Sequence, residues 1–119
     1  MDETIAIYFD AWNEQDAAER RRKLERSLTD DVELVDPAGR WQGIPGVDDR
    51  IAQYQATAPG TVIVAASGVD GHHDIARYAW KCVDSNGKTV VDGIDIVERD
   101  GSGRLKRIVL FHGLQPPVD

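Results

Sequence analysis

The chain has a single cysteine, Cys82, in 119 residues. That excludes an internal disulfide and suits a reducing compartment. Basic charge is also short: 14 Lys and Arg stand against 21 Asp and Glu, for a net charge of -7. A surface of that sign repels a phosphate backbone on average, so no nucleic-acid partner is expected. No apolar run approaches the roughly 20 residues of a membrane-crossing helix, so no membrane association is expected. The opening residues, MDETIAIYFDAW, are acidic and amphipathic, unlike a signal or transit peptide. A cytoplasmic protein is the expectation. The remaining composition, 41% hydrophobic and 29% charged, supports one ordinary core, hence a single domain over 1–119. There is no internal repeat, low-complexity tract or linker, and only residues 115–119 read as a loose tail.

The first half reads as helical. Ile5, Tyr8, Phe9 and Trp12 recur at i, i+3, i+4, i+7, an apolar stripe that puts Tyr8 on the buried side. This helix should stop within 13–15. Asp16, with Glu19 three residues on, forms a capping box for a second helix whose apolar face carries Leu24 and Leu28. The basic cluster at 20–23 lies between Glu19 and Glu25 and reads as a solvated helix face. Residues 29–31 should end the helix, and 32–35 form a short strand. Three glycines and Pro45 make 39–46 a loop. A third helix should begin at Gly46 or Asp48, carry Val47, Ile51 and Tyr54 on one side, and close at 58–60.

The second half changes period. Segments 61–69, 75–83, 89–98 and 105–112 read as strands. Their connections carry Asp70-Gly71, Ser85-Asn86-Gly87 and Asp100-Gly101-Ser102-Gly103, which suit tight turns. Helices followed by hairpin-linked strands predict an α+β fold rather than a parallel doubly wound one. Alternation places Ala76, Tyr78, Trp80 and Cys82 on one face, expected to be covered by helices. Val91, Gly93, Asp95 and Val97 share a face of the next strand. In the last strand Ile108, Leu110 and His112 oppose Leu105, Arg107, Val109 and Phe111.

Asp36, in Val35-Asp36-Pro37, ends its strand against a proline turn, a position suited to facing a cavity. Beside loop it should be partly solvated and ionised, whereas Asp95, among valines and isoleucines, should have a raised pKa and be protonated. Asp36 is then a candidate base, and Asp95 and Tyr8 candidate hydrogen-bond donors. Each also has a structural reading: Asp36 caps a turn, Asp95 bonds a neighbouring element, and Tyr8 is a core tyrosine. His72-His73-Asp74 reads as a polar turn, because adjacent histidines on an extended chain point apart and chelate one ion poorly. Cys82 reads as core. No metal site and no cofactor are expected.

The order of elements resembles the SnoaL-like and nuclear-transport-factor-2-like (NTF2-like, cystatin-like) superfamily over nearly the whole chain. The resemblance is carried by residues 8–13 with Asp16, by Asp30-Asp31-Val32, Val35-Asp36-Pro37, Gly93-Ile94-Asp95, Gly101-Ser102-Gly103 and Phe111-His112-Gly113. It implies three N-terminal helices packed on a curved, mainly antiparallel sheet, a cone with a central pocket. It also implies a homodimer through the outer face of the sheet. Within the superfamily, Tyr8, Asp36 and Asp95 fall on the tyrosine, Asp-Pro aspartate and strand aspartate of ketosteroid isomerase. By that likeness Asp36 is the base, and Tyr8 and protonated Asp95 stabilise the oxyanion. The implied pocket would take a small hydrophobic ligand against Trp12, Trp41, Tyr54, Tyr78, Trp80, Ile108, Leu110 and His112. Three functions stay open: an isomerase or polyketide-cyclase-like enzyme, a non-catalytic binding protein, or an epoxide hydrolase or dehydratase.

Overall fold

The computed structural model describes residues 2–113 and 115–118. Its elements run α1 (Glu3–Ala11), α2 (Ala17–Ser27), β1 (Leu28–Asp36), β2 (Gly39–Gln42), α3 (Gly43–Thr57), β3 (Val62–Ala65), β4 (Asp70–His72), β5 (Ile75–Val83), β6 (Thr89–Arg99) and β7 (Leu105–His112). The strands form one sheet in the order β2-β1-β7-β6-β5-β3, with β4 also paired to β5. All pairings are antiparallel except β1 with β7. The α+β class and the helices-on-a-curved-sheet layout follow the expectation. Residues 115–118 carry no helix or strand, and Asp119 lies outside the described residues.

Local chemistry starts the helices. The Asp2 carboxylate accepts from the Ile5 amide at 3.2 Å, and Asp16 from the Glu19 amide at 3.0 Å, each satisfying an orphan N–H of a first turn. The stripe of α1 is buried as its spacing demands, with Ile5, Tyr8, Phe9 and Trp12 all inside. The core lies between the helices and the concave face of the sheet, where Leu24, Leu34, Val47, Ile51, Val97 and Ile108 are fully buried.

Four local readings are corrected. Residues 29–31 do not end α2; they lie in β1, which begins at Leu28 and is held to β7 by Leu28 opposite Leu105. The triplet sits in the register irregularity between Leu28 and Glu33, where pairing tolerates the poor strand formers Asp30 and Asp31. The 39–46 stretch is not a loop: Gly39–Gln42 folds back on β1, and α3 begins at Gly43. Strand 61–69 is cut to Val62–Ala65, and Asp70–His72 forms a separate short strand. Finally, Leu105 is fully buried rather than on the Phe111 face. Leu105 pairs with Arg99 and Arg107 with Glu98, so Lys106 is an extra, bulged residue that reverses the alternation behind it.

The basic cluster is also not uniformly solvated. Arg20 is buried and donates to Asp48 at 2.6 Å, to the Glu14 carbonyl and to Gln55, tying α2 to α3. Arg21 and Arg22 remain exposed on the outer face of α2.

Candidate active site

A cavity opens between α1, α3 and the concave face of the sheet. Tyr8, Phe9 and Trp12 of α1 line one wall, and Arg50 and Tyr54 of α3 another. The strands contribute Asp36, Ile63, Trp80, Cys82, Val91, Asp95, Leu110 and His112. All three candidate chemical residues therefore reach one space, from the first helix, the end of β1 and the middle of β6. Of the expected ligand contacts, Trp12, Tyr54, Trp80, Leu110 and His112 line it. Trp41, Tyr78 and Ile108 do not. Trp41 lies beneath the Arg50 guanidinium at 4.9 Å, Tyr78 is buried behind Asp95, and Ile108 is packed into the core.

Asp95 is held from behind by two donors. The Tyr78 hydroxyl donates to Oδ2 at 2.8 Å and the Trp80 indole N–H to Oδ1 at 3.0 Å. Alternation on β5 aims both at β6, where Tyr78 lies directly opposite Asp95 and Trp80 opposite Gly93. Gly93 is what lets the indole lie flat. A Cβ there would sit 2.5 Å from a ring carbon of Trp80 and would also meet the Phe111 carbonyl oxygen. The His112 ring meets Trp80 edge to face at 5.8 Å. Burial raises the Asp95 carboxyl to about 7, against the pull of the Tyr78 and Trp80 hydrogen bonds.

Asp36 differs from expectation. Its side chain is 1% exposed rather than partly solvated, because Arg50 covers it. Arg50 Nε donates to Oδ2 at 2.8 Å, and the Ala38 amide donates to Oδ1 at 2.7 Å within the proline turn. Arg50 was not anticipated as a site residue. Its signal was a cation three residues after Val47 and four before Tyr54, on the apolar side of α3. Phe9, Ile63, Cys82 and Val91 were also missed as lining groups. Each reads as core because the cavity wall is continuous with the core.

The Tyr8 hydroxyl is buried and has no hydrogen-bond partner among the described residues. Burial, then the charges of Asp95 and Asp36, push its pKa well above the ordinary tyrosine value, against the pull of the nearby Trp12 indole, whose N–H does not meet the hydroxyl in hydrogen-bond geometry. Tyr8 is therefore a neutral donor at any physiological pH, next to two carboxyl groups and bonded to neither. Tyr78 is likewise raised, by burial first and then by Asp95 and Tyr8.

Away from the cavity, His72 and His73 do not point apart. His73 has φ +54°, which breaks the extended chain and brings the two Nδ1 atoms to 3.0 Å in a polar turn. Among the described residues no group of three or more His, Cys, Asp or Glu side chains converges to hold a metal ion. No helix among the described residues is long and apolar enough to cross a membrane.

Residues 5–108 match the SnoaL-like domain family, and the chain belongs to it. A candidate isomerase of the SnoaL-like family from Agrobacterium tumefaciens superposes with a TM-score of 0.88 at 29% identity, over 93% of this chain and 95% of that one. A candidate SnoaL-like polyketide cyclase from Jannaschia sp. CCS1 gives 0.74 at 18% identity, over 92% and 83%. A protein of unknown function with a cystatin-like fold from Methylobium petroleophilum gives 0.75 at 20%, over 97% and 76%. The last two likenesses show the fold. No curated protein matches the chain.

Proposed function

We propose that this SnoaL-like protein is a cofactor-independent acid–base enzyme that moves a proton on a small hydrophobic carbonyl compound. Asp36 takes a proton from the carbon next to the carbonyl, and the C–H electron pair becomes the C=C bond of an enolate. Tyr8 and protonated Asp95 donate hydrogen bonds to the oxygen that gathers the charge. Asp36 then returns the proton to a different carbon, so the net change is an isomerisation. The observation that carries this reading is the Tyr8 hydroxyl, a buried donor with no partner among the described residues, in a cavity shared with two carboxyl groups. Leaving such a donor unpaired costs about 1–3 kcal/mol, which a ligand oxygen would offset. The likeness to the Agrobacterium candidate isomerase supports this form of the reaction.

The environments also suit the division of roles. Asp36 is paired with Arg50 at 2.8 Å, while burial raises the Asp95 carboxyl to about 7. One observation favours a second division: a carboxyl near 7 is matched to proton transfer at neutral pH. In that case Asp95 is the base and Asp36 a fixed partner of Arg50. A screen of β,γ-unsaturated ketones, read by absorbance of the conjugated product, separates the two. Asp36→Asn should lose turnover by about a thousandfold. Turnover that survives Asp36→Asn while Asp95→Asn abolishes it would give the base role to Asp95. If no ketone is turned over or bound, the enzyme reading fails.

We also propose a homodimer through the outer face of the sheet. On that face Ile94 pairs with Phe111 and Ile96 with Val109, and Ile96 and Phe111 are exposed. Charges of both signs, Arg77, Arg107, Asp92 and Glu98, flank the patch, which suits pairing with a copy of itself. Sedimentation velocity should show dimers for the wild type and monomers for Phe111→Glu. A monomeric wild type at tens of micromolar would remove the idea.

A further inference from the structure

The space in the Tyr8–Asp95 cavity is about 110 Å³. An apolar protein cavity of about 150 Å³ holds one benzene molecule. This cavity is smaller, so one six-membered ring already fills its closed part, and a second fused ring has to project through the mouth or displace a wall. On the far side of one wall lies a second hollow of about 170 Å³, between the end of α3 and the chain entering β3. Among the described residues, Trp12 and Tyr54 alone line both spaces.

These two side chains form the partition. Their rings meet edge to face, 5.6 Å between centroids and 65° between planes. Each is fastened. The Tyr54 hydroxyl lies 2.7 Å from Thr61 Oγ1 and 3.2 Å from Cys82 Sγ. The Trp12 carbonyl accepts from Gln55 Nε2 at 3.1 Å. The far hollow is more polar, with Gln15, Gln55 and Thr61 in its lining. An apolar ligand thus gains nothing by entering it while the aromatic pair is closed.

We propose that the Trp12–Tyr54 pair is the specificity determinant of this site, a partition that restricts the substrate to a single ring, a monocyclic enolisable ketone. The inference rests on the cavity being the substrate site, but its test needs no turnover. Phenol and 2-naphthol are planar and carry one hydroxyl each, and they differ by one fused ring. In calorimetric titrations the wild type should bind phenol at least about tenfold more tightly than 2-naphthol. Trp12→Ala should join the hollows and reverse that preference. Trp12→Leu keeps an apolar cap on α1 and should give the same direction of change if the alanine variant does not fold. Tyr54→Phe keeps the ring and should keep the wild-type preference. Equal binding of the two by the wild type, or an unchanged preference in both Trp12 variants, overturns the partition while leaving the acid–base reading intact. If neither compound binds the wild type, the cavity is not the ligand site and both readings fall together.

Discussion

Asp36 and Arg50 meet at 2.8 Å on the cavity wall, the carboxylate 1% exposed and the guanidinium 19%. The pair joins the end of β1 to the middle of α3, and Arg50 in turn lies over the Trp41 ring. A carboxylate this dry depends on its counter-charge. Replacing Arg50 with Met should destabilise the fold by about 3 kcal/mol, read by urea unfolding. Adding Asp36→Asn should restore much of that loss, because no buried charge is then left unpaired. Strictly additive losses in the double variant would mean that the two side chains are not coupled.

Tyr8→Phe should separate stability from activity. The substitution removes a buried hydroxyl that has no partner among the described residues and leaves the ring packed. Thermal stability should stay level or rise by about 1 kcal/mol. Turnover of a ketone found in the screen should fall by about a hundredfold or more, chiefly in kcat. A clear loss of stability would show that the hydroxyl has a structural partner.

Asp95 ties both stability and activity to pH. Its carboxyl is raised to about 7 from an ordinary 3.8, so the folded protein holds this proton more tightly than the unfolded chain. The stability this contributes is fully present below about pH 4 and is lost as pH rises towards about 7. Asp95→Asn cannot titrate. It can still accept from Trp80 through Oδ1 and donate to the Tyr78 hydroxyl through Nδ2. The variant should therefore gain on the wild type between about pH 4 and 7, by about 3–4 kcal/mol at the upper end. Turnover by the wild type should fall above about pH 7, where the Asp95 donor is lost. Activity that rises through that range would instead make Asp95 the base.

Gly93→Ala should act through Trp80. The added Cβ collides with the indole and with the Phe111 carbonyl, for a loss of about 2 kcal/mol. Displacing the indole removes one hydrogen bond that lowers the Asp95 pKa, so the high-pH fall in activity should move upward. A drop in stability with an unmoved pH profile would mean that Trp80 keeps its place.

The element order was legible because it rests on local rules. The α1 stripe put Tyr8 inside, Asp16 capped α2 where its spacing to Glu19 required, and Asn86-Gly87 turned β5 into β6 with Gly87 at φ +79°. Alternation alone placed Trp80 and Asp95 on the buried face. The short β2 hairpin, the early start of β1 and the bulge at Lys106 were not legible. Each depends on what a strand pairs with, and the partners lie far along the chain.

The sequence by itself turned Tyr8 and Asp95 inward, because burial follows periodicity, and put Asp36 at a strand end suited to facing a cavity. Only the tertiary structure decided what each of them meets. Arg50 reaches Asp36 across 14 residues, and Tyr78 and Trp80 reach Asp95 across 17 and 15. Among the described residues, no partner reaches the Tyr8 hydroxyl. Those meetings depend on strand register and helix docking, which bring an arginine to one carboxyl and two neutral donors to the other.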